Sequence, residues 1–562
     1  MPSRQNLLLL QLPRLDPDVT TPGENVMLAA AGLQSALDRS SEGVRWELLP
    51  TPTEQETADN AALLAAITAL RPDAIGATLY LWNIERTLRL LAAIRKLLPR
   101  VHLVVGGPEV AREHPLLFPN SPALPGPRMH PAVDVAVIGE GEAVFPAILS
   151  AFRRKASTDW RTVAWQRDRQ PRWGARSAPV RPLRDLVPPA DHPSCRPDAY
   201  GMAYLETTRG CPMRCAFCCY NIRRAGWSSL PPSEVTQRIR TLRRRGAREI
   251  RLVDPTFNAH PDFRAILAAM RHANPDRKVR FFVELRADTL MEADAAHLAA
   301  AGVAEAEVGV QSTDPVVLRA IHRPVNLERT MAGIDLLQRH GIRPTMDFMY
   351  GLPRQGMEDI SRSLDILARF PKAHPQFLPT LLLPGTELRD RCRELRLRSQ
   401  PLPPYRVLAT DRLNSRQLAA IEALAQERLG GFDSPTRRFV GTNLPDLFPA
   451  HSGNRQALFF RGEDLFAQQQ VLAARIRDAV RREPDILWQF VLAPTREEPL
   501  DLLDFLIATL RHLPSHWLDR LLSPSGVRRL AARRLFVQLP RGRAFDLSWR
   551  YEAEALLGTT FH

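Results

Sequence analysis

Three cysteines in one short segment constrain this chain more than any other feature. Cys211, Cys215 and Cys218 follow a strand-like run at 204–207 and are spaced C-x3-C-x2-C. Thiolates prefer iron–sulfur clusters, zinc or copper(I) to harder ions. A [4Fe–4S] cluster with a purely structural role takes four thiolates, so three would leave one iron open to a small molecule. The segment therefore predicts a reactive cluster in which one iron binds a ligand.

Zinc and disulfide bonds are the alternatives for these thiols. Structural zinc takes four ligands, and no second Cys pair or His pair follows at a suitable distance. The N-terminus leads straight into a strand-like run without an evident signal peptide, and thiols in an intracellular enzyme more often bind metal or do chemistry. The spacing favours a cluster. Cys219 lies outside the pattern and is predicted to be a buried small side chain, or else a neighbour of the cluster or substrate.

Length and charge narrow the classes of protein that remain. At 562 residues the chain should hold three to four domains, and no apolar run approaches the ~20 residues of a membrane span. A cytoplasmic protein is expected. The formal net charge of +15 comes almost entirely from arginines that are spread along the chain, so it gives little support to a nucleic-acid partner.

Residues 1–152 alternate predicted strands with predicted helices. Strand-like runs occur at 6–12, 44–49, 74–81, 101–105 and 133–138, and helical spacing occurs at 28–37, 61–70, 84–98 and 143–152. This alternation predicts an α/β, doubly wound (Rossmann-like) parallel sheet, whose ligands bind at the carboxyl ends of the strands. The candidate loops are 80–83, 106–109 and 139–142. No G-x-G-x-x-G sequence follows the first strand, which disfavours a dinucleotide.

Three further regions follow along the chain. An Arg- and Pro-rich segment at 153–198 is predicted to be a linker with a short hairpin. Residues 199–397 are predicted to form a partial (β/α)6 TIM-type barrel, with chemistry at the carboxyl ends of strands at 204–207, 249–253, 279–285, 305–310, 345–349 and 376–382. Residues 398–562 predict a mainly α domain, from helical spacing at 415–429, 466–481, 485–492, 500–510 and 516–522.

The cysteine segment, with Arg209-Gly210 before it and Phe217 within it, resembles the radical S-adenosylmethionine (radical SAM) enzymes. The resemblance implies that the three cysteines bind the cluster, that its open iron chelates SAM, and that Phe217 lies beside the adenine. Polar segments at the other strand ends resemble SAM-contacting segments of the family. The residues that the resemblance implies for SAM are Phe217, Asp254, Thr256, Glu284, Arg286, Gln311, Ser312, Gly351 and Leu352.

The first domain resembles the cobalamin (B12)-binding domain of one radical SAM class. The resemblance rests on Gly106-Gly107-Pro108-Glu109 and on the segment from Val133 to Glu142. The D-x-H-x-x-G sequence that supplies a cobalt-ligating His in other B12 enzymes is absent, as is common in this class. The residues that the resemblance implies for cobalamin are Tyr80, Trp82, Asn83, Gly106, Gly107, Glu109, Gly139, Glu140 and Gly141.

The resemblance implies C-methylation of an unactivated carbon, through a 5′-deoxyadenosyl radical and methylcobalamin. Cofactors would be the [4Fe–4S] cluster, SAM and cobalamin; partners would be a small-molecule, lipid-like or peptide substrate and an external one-electron reductant such as flavodoxin or ferredoxin. Radical cyclisation, rearrangement and aminocarboxypropyl transfer remain alternatives. A tRNA methylthiotransferase is disfavoured because no cysteine precedes Cys195. A non-catalytic, metal-stabilised nucleic-acid-binding protein is the alternative from a different class.

Overall fold

A computed structural model gives the architecture of the chain. It describes residues 5–13, 27–40, 46–52, 60–119, 128–154, 163–167, 170–173, 182–192, 195–198, 200–220, 226–429, 440–441, 455–521, 532–540 and 545–558. These residues divide between two compact units. The first comprises 1–11, 23–51 and 70–414, and the second comprises 12–22, 52–69 and 415–562. No helix among the residues described is long and apolar enough to cross a membrane.

The first sheet is built from the N-terminal part of the chain. The elements along this part of the chain are β1 (Gln5–Leu10), α1 (Leu28–Asp38), β2 (Trp46–Leu48), α2 (Asn60–Leu70), β3 (Ala74–Thr78), α3 (Ile84–Leu97), β4 (His102–Gly106), β5 (Val135–Val137), α4 (Phe145–Arg154), β6 (Val163–Arg167) and β7 (Gln170–Trp173). Of these, α2 belongs to the second unit up to residue 69. The strand order is β2-β1-β3-β4-β5-β6-β7, and β1 to β5 run parallel. Strands β1 and β3 are continuous apolar runs because both faces of a parallel sheet are covered. The predicted doubly wound parallel sheet is confirmed.

The end of this sheet differs from the predicted domain boundary at residue 152. Strands β6 and β7 pair antiparallel as a hairpin, and β6 pairs antiparallel with β5. The hairpin expected inside the linker at 153–198 therefore extends the first sheet. Its register joins Trp165 to Val135, a pairing between distant residues that local composition does not reveal.

The second sheet of the first unit is a partial barrel. Its region contains α5 (Leu183–Leu186), β8 (Met202–Leu205), β9 (Thr208–Arg209), β10 (Ser228–Ser229), α6 (Pro232–Arg244), β11 (Glu249–Leu252), α7 (Phe263–Ala273), β12 (Arg280–Leu285), α8 (Glu292–Ala301), β13 (Val303–Gln311), α9 (Pro315–Ala320), α10 (Leu327–Arg339), β14 (Arg343–Tyr350), α11 (Met357–Ala368), β15 (His374–Pro379), α12 (Glu387–Asp390), β16 (Arg398–Ser399) and β17 (Val407–Ala409). Six strands, in the order β15-β14-β13-β12-β11-β8, pair parallel throughout. The predicted (β/α)6 barrel is confirmed, and the cysteine segment follows its first strand.

The segment 398–414 belongs to the barrel unit, whereas the sequence prediction had a new domain begin at residue 398. Val407 donates a backbone hydrogen bond to Thr380, and Leu382 donates one to Tyr405. Tyr405 is fully buried although its φ is +62°, a value that favours glycine. These contacts cover the last barrel strand, so the division between the units falls after residue 414.

The C-terminal unit contains a parallel sheet. Its elements after residue 414 are α13 (Ser415–Leu429), β18 (Val440–Gly441), β19 (Arg455–Gly462), α14 (Gln469–Arg482), β20 (Leu487–Pro494), α15 (Asp501–His512), α16 (Trp517–Leu521), β21 (Arg533–Gln538) and α17 (Leu547–Gly558). The strand order is β18-β21-β20-β19, with all neighbours parallel. The unit is thus α/β, which differs from the mainly α domain expected from the sequence.

Strand β20 shows why the sequence pattern was misleading there. The prediction had a helix at 485–492, where the structure has Leu487–Pro494 as a strand that is buried at almost every position. A short, continuous apolar run fits a buried helix and a buried strand equally well by periodicity. The strand pairs along its full length with β19 and along five residues with β21, and these partners lie far away in sequence.

Candidate active site

The cysteine segment is anchored by one buried carboxyl group. Asp254, which follows β11, accepts hydrogen bonds from the backbone N–H groups of Thr207 at 2.7 Å and Thr208 at 3.0 Å. It also accepts a very short hydrogen bond from the Thr207 hydroxyl. Burial raises the pKa of Asp254 to about 7, although these three hydrogen bonds oppose the shift. Asp254 therefore ties the start of the cysteine segment to the end of the neighbouring strand.

The three thiols lie against polar groups from the barrel. The Cys211 sulfur is 3.4 Å from the Thr256 hydroxyl, and Arg323 donates to the Cys215 sulfur at 3.4 Å. Burial raises the pKa of the Cys218 thiol to about 12, so this thiol ionises only when a metal binds it. Among the residues described, no three Cys, His, Asp or Glu side chains converge on a single ion.

Arg323 links Cys215 to the barrel wall and was missed by the sequence prediction. Its other terminal nitrogen donates to the Gly309 carbonyl at 2.5 Å. A Cβ at Gly309 would lie 2.7 Å from the Arg323 guanidinium, so the guanidinium would have to shift if this residue had a side chain. The guanidinium thus brings positive charge and a hydrogen bond to a predicted cluster ligand.

Removing this guanidinium should make the cluster harder to reduce. Hydrogen bonds to cluster sulfurs and nearby positive charge both favour the reduced cluster. We expect Arg323→Met to lower the midpoint potential by roughly 50 mV, close to a tenfold change in a one-electron equilibrium, while Arg323→Lys retains much of the charge. Redox titration of the reconstituted cluster in the wild type and both variants measures this difference. Equal potentials in all three proteins would contradict it.

A cavity of about 340 Å³ opens beside the thiols at the carboxyl ends of the barrel strands. Five of the residues predicted to bind SAM line it. They are Phe217, Thr256, Glu284, Arg286 and Gln311. Arg286 is held by two hydrogen bonds to Asp288, at 2.9 and 2.5 Å, and donates to the Met213 sulfur at 3.3 Å.

The other four residues predicted to bind SAM do not line this cavity. Asp254 anchors the cysteine segment, as described above. Ser312 is fully buried and donates to Asp359 at 2.8 Å. Gly351 occupies a turn at a φ of +81°, and Leu352 packs in an apolar cluster against which Phe217 also rests. The structure therefore gives these four residues local structural contacts rather than positions on the cavity wall.

Two carboxyl groups on the cavity wall were also missed by the sequence prediction. Glu307 and Asp347 project from β13 and β14, beside Glu284 on β12. Burial, followed by repulsion from Glu307, raises the pKa of Glu284 to about 7. Burial likewise raises the pKa of Asp347 to about 9, with added contributions from Glu307. The signal in the sequence was the alternation of acidic with apolar residues in β13.

The raised pKa of Asp347 makes stability depend on pH. Its folded pKa of about 9 exceeds the ordinary value of 3.8, so its contribution to stability is lost as pH rises between these values. We therefore expect Asp347→Asn to raise the free energy of unfolding at pH 8.5, by about 2 kcal/mol, and less at pH 6. Denaturant titrations at both pH values test this. An equal effect at both values would contradict the shift.

A second cavity, of about 240 Å³, lies at the carboxyl ends of the first sheet. Six of the residues predicted to bind cobalamin line it, namely Tyr80, Gly106, Gly107, Gly139, Glu140 and Gly141. Gly107 has a φ of +105°, and a Cβ there would lie 2.6 Å from the Leu79 carbonyl oxygen. Because glycines have no side chains, their backbone atoms form this part of the cavity wall.

The remaining three residues predicted to bind cobalamin lie outside this cavity. Trp82 stacks on Tyr80 with ring centroids 4.4 Å apart. Asn83 is buried, accepts a hydrogen bond from the Tyr80 backbone and donates to the Thr78 carbonyl. Glu109 is buried and accepts a hydrogen bond of 2.7 Å from the Tyr405 hydroxyl. Asn83 and Glu109 therefore hold the adjoining loops in place.

Arg209, which lies two residues before Cys211, ties the cysteine segment to the loop after β5. Its guanidinium lines the cavity of the first sheet and donates to Glu142 at 3.0 Å, with Glu140 at 3.6 Å. It also forms two hydrogen bonds of 2.8 Å with Glu206. Burial opposes the charge on Arg209, but the neighbouring carboxylates outweigh it and raise its pKa.

The residues present suit the cofactors that the sequence implied. Three thiols on one segment, with an open cavity beside them, form a donor set typical of a site-differentiated [4Fe–4S] cluster. The glycine-lined cavity lies at the carboxyl ends of the first sheet, where sheets of this kind bind their ligands. No histidine lines it among the residues described, in keeping with the missing D-x-H-x-x-G sequence. Cys219 is exposed, so the prediction that it is buried was wrong.

Comparisons with known proteins agree with this geometry. Residues 205–367 match the radical SAM superfamily model, and residues 28–149 match the B12 binding domain model. An uncharacterised methyltransferase of Pyrococcus horikoshii is 22% identical over 56% of this chain and 68% of its own length. The cobalamin-dependent radical SAM methyltransferase TokK of Streptomyces tokunonensis is 27% identical over 51% of this chain and 43% of its own length.

A solved structure shares the fold over most of the chain. The radical SAM methyltransferase TsrM from Kitasatospora setae, with cobalamin and a [4Fe–4S] cluster bound, superposes with a TM-score of 0.55. It is 19% identical, and the match covers 70% of this chain and 75% of TsrM. The cofactors of such enzymes are a [4Fe–4S] cluster, SAM and cobalamin. The chain therefore belongs to the radical SAM enzymes that carry a cobalamin-binding domain.

Proposed function

We propose that this enzyme transfers a methyl group from SAM to a carbon atom of its substrate, with cobalamin as the methyl carrier. One observation carries the proposal. Arg209 lines the glycine-rich cavity of the first sheet and lies two residues before the first predicted cluster ligand. A cofactor held at that cavity would sit beside the cysteine segment, which is what a reaction using both cofactors requires.

The residues proposed to hold the cofactors follow from the geometry. Cys211, Cys215 and Cys218 would hold the cluster, Thr256 and Gln311 would contact SAM, and the glycine-lined cavity would hold part of cobalamin. When bound, the cluster supplies the electron that cleaves SAM, and cobalamin supplies a carrier for a methyl group. An external one-electron reductant such as flavodoxin or ferredoxin would provide that electron.

The protein itself would contribute orientation and exclusion of water. The barrel cavity is apolar on the side formed by the last two strands and the segment after them, where Met349, Leu378 and Leu383 line it. Apolar walls keep water away from reactive intermediates and position a substrate without reacting with it. The names of TokK and of the Pyrococcus relative, both methyltransferases, support methyl transfer over other radical outcomes.

The test needs no knowledge of the substrate. Full-length protein is reconstituted anaerobically with iron and sulfide, supplied with SAM and a strong reductant, and assayed with and without hydroxocobalamin. Methyl transfer predicts S-adenosylhomocysteine formation that depends on added cobalamin, together with 5′-deoxyadenosine. Formation of 5′-deoxyadenosine alone, unchanged by cobalamin, would favour cyclisation or rearrangement, and methylthioadenosine would indicate aminocarboxypropyl transfer.

A further inference from the structure

The barrel strands carry acidic side chains in two layers that are paired differently. In the lower layer, Glu249 pairs with Arg251 at 3.0 Å and with Arg280 at 3.5 Å, and Glu305 pairs with Arg343. Side chains two residues apart on a strand share one face. The next layer toward the cavity therefore follows two residues later on strands β12 and β13.

That next layer consists of Glu284, Glu307 and Asp347, which we call the carboxyl layer. Glu284 and Glu307 are directly paired residues on neighbouring strands, and Asp347 lies opposite Gly309. None of the three forms a salt bridge with any residue in the described part of the chain. Glu249 and Glu305, by contrast, lie near the amino ends of the strands, where two of their arginine partners, Arg280 and Arg343, are largely exposed.

Asp347 provides an independent sign of a missing ligand. Its side chain is 8% exposed and lines the cavity, and its Oδ1 atom has no hydrogen-bond partner among the residues described. A buried polar atom without a partner costs roughly 1–3 kcal/mol. Such a cost is tolerated where a ligand supplies the partner, and Oδ1 would accept a hydrogen bond from a donor that enters the cavity.

The arginines on the cavity wall are already occupied. Arg286 is bound to Asp288 through two hydrogen bonds and donates to the Pro324 carbonyl. Arg323 donates to Cys215 and Gly309. The charge of Arg323 partly opposes the rise that burial causes in the pKa of Asp347, but among the residues described neither arginine forms a salt bridge with the carboxyl layer, so a donor that enters the cavity can contact the layer directly. A metal ion is not indicated, because the three carboxyl groups do not converge on one point in the described residues.

We propose that the carboxyl layer binds the protonated amine of the substrate, a molecule with an apolar body that rests against Met349 and Leu378. This inference rests on the proposed function, because it names the substrate class for that same cavity. An amine donates several hydrogen bonds and carries the charge that the layer lacks. SAM is also a cation, so the test is made with SAM already bound.

The experiment uses 2-phenylethylamine and its neutral counterpart 2-phenylethanol as probes. Each is titrated by calorimetry into the anaerobically reconstituted full-length enzyme saturated with SAM. A charged hydrogen bond is worth roughly 1.5–3 kcal/mol, so the amine should bind at least about tenfold more tightly than the alcohol. In Asp347→Asn and in Glu307→Gln this preference should fall to about twofold or less.

Glu305→Gln is the matched control, because Glu305 lies two residues before Glu307 on the same strand and is paired with Arg343. It should keep the preference for the amine. No preference in the wild type, no binding of either probe, or an unchanged preference in Asp347→Asn would each overturn the inference. The SAM-induced shift of the cluster's electron paramagnetic resonance signal, recorded on the same samples, reports separately on the proposed function. If SAM caused no such shift, that result would count against the proposed function. The carboxyl layer would then still be tested by titrating the two probes into enzyme without SAM.

Discussion

Replacing Cys215 by alanine should abolish SAM cleavage while the chain stays folded. Cys215 lies at the carboxyl end of the barrel, in a segment that is held by Asp254 and by the backbone pair from Ala216 to Ile321 rather than by the thiols. Loss of a thiolate leaves the cluster without one of its three protein ligands. Changes that only disturb the orientation of a metal ligand already cost about 10- to 100-fold. We therefore expect 5′-deoxyadenosine formation to fall by more than about 100-fold.

Cys219→Ala is the matched control, because it removes a neighbouring thiol that lies outside the spacing. Its iron content and its rate of SAM cleavage should match the wild type. Circular dichroism and the unfolding midpoint, measured on both variants without iron, separate loss of the cluster from loss of the fold. A folded Cys215→Ala protein that still cleaves SAM at the wild-type rate would refute the assignment of this thiol.

Replacing Asp254 by alanine should destabilise the folded chain and weaken its binding of the cluster. The backbone N–H groups of Thr207 and Thr208 would lose their acceptor in a fully buried place. Each unpaired backbone group costs roughly 1–3 kcal/mol. The variant no longer pays the free-energy cost of burying a carboxyl group, and this offsets part of the loss. We expect a net loss of about 3 kcal/mol in the free energy of unfolding. Iron content after reconstitution should fall as well, because the segment that carries the thiols is released.

Asp254→Asn tests the reason for this effect, since it keeps an oxygen acceptor for the two backbone groups. Its loss of stability and of iron should be much smaller than that of Asp254→Ala. The exposed Asp276, which pairs with Arg243 on the outer helices, provides a second control, and its replacement by alanine should leave iron content unchanged. Equal losses in the alanine and asparagine variants of Asp254 would mean that the backbone contacts are not what holds the segment.

Much of the barrel could be predicted from the sequence alone, as could the position of the segment that carries the proposed metal ligands. The spacing of three cysteines after a strand-like run strongly restricts the metal chemistry. This spacing is a property of a short segment, so it can be read directly from the sequence. The six barrel strands were found because each is an apolar run bounded by turns or helices, so the relevant pattern is short. The Tyr80, Gly106 and Gly139 loops were found by the rule that ligands bind where parallel strands end.

Other site residues could not be found in that way, because their roles depend on pairing between distant segments. Arg323 donates to Cys215 while it lies close against Gly309 of β13, which has no side chain. Asp254 had been assigned to SAM from its position after a strand, yet its hydrogen bonds go to Thr207 and Thr208. Position at a strand end predicts nearness to the site, but it does not tell a ligand from an anchor.

Glu109 illustrates the same limit in the first domain. Its place after a glycine pair at a strand end predicted contact with cobalamin. In the structure its carboxylate lies with His114, at 3.0 Å, and with Tyr405, which comes almost three hundred residues later. The trio joins the loop after β4 to the segment that covers the last barrel strand. No sequence pattern of short range could have revealed that partnership.

Electron paramagnetic resonance is the measurement that tests the central claim most directly. Full-length protein, reconstituted anaerobically with iron, sulfide and hydroxocobalamin and then passed through gel filtration, is reduced and recorded with and without SAM. The account predicts a [4Fe–4S]⁺ signal that shifts when SAM is added, and, after mild one-electron reduction of a parallel sample, a cobalt(II) signal from cobalamin retained through gel filtration. A folded protein that shows no cluster signal, or a cluster signal that SAM leaves unchanged, would contradict it.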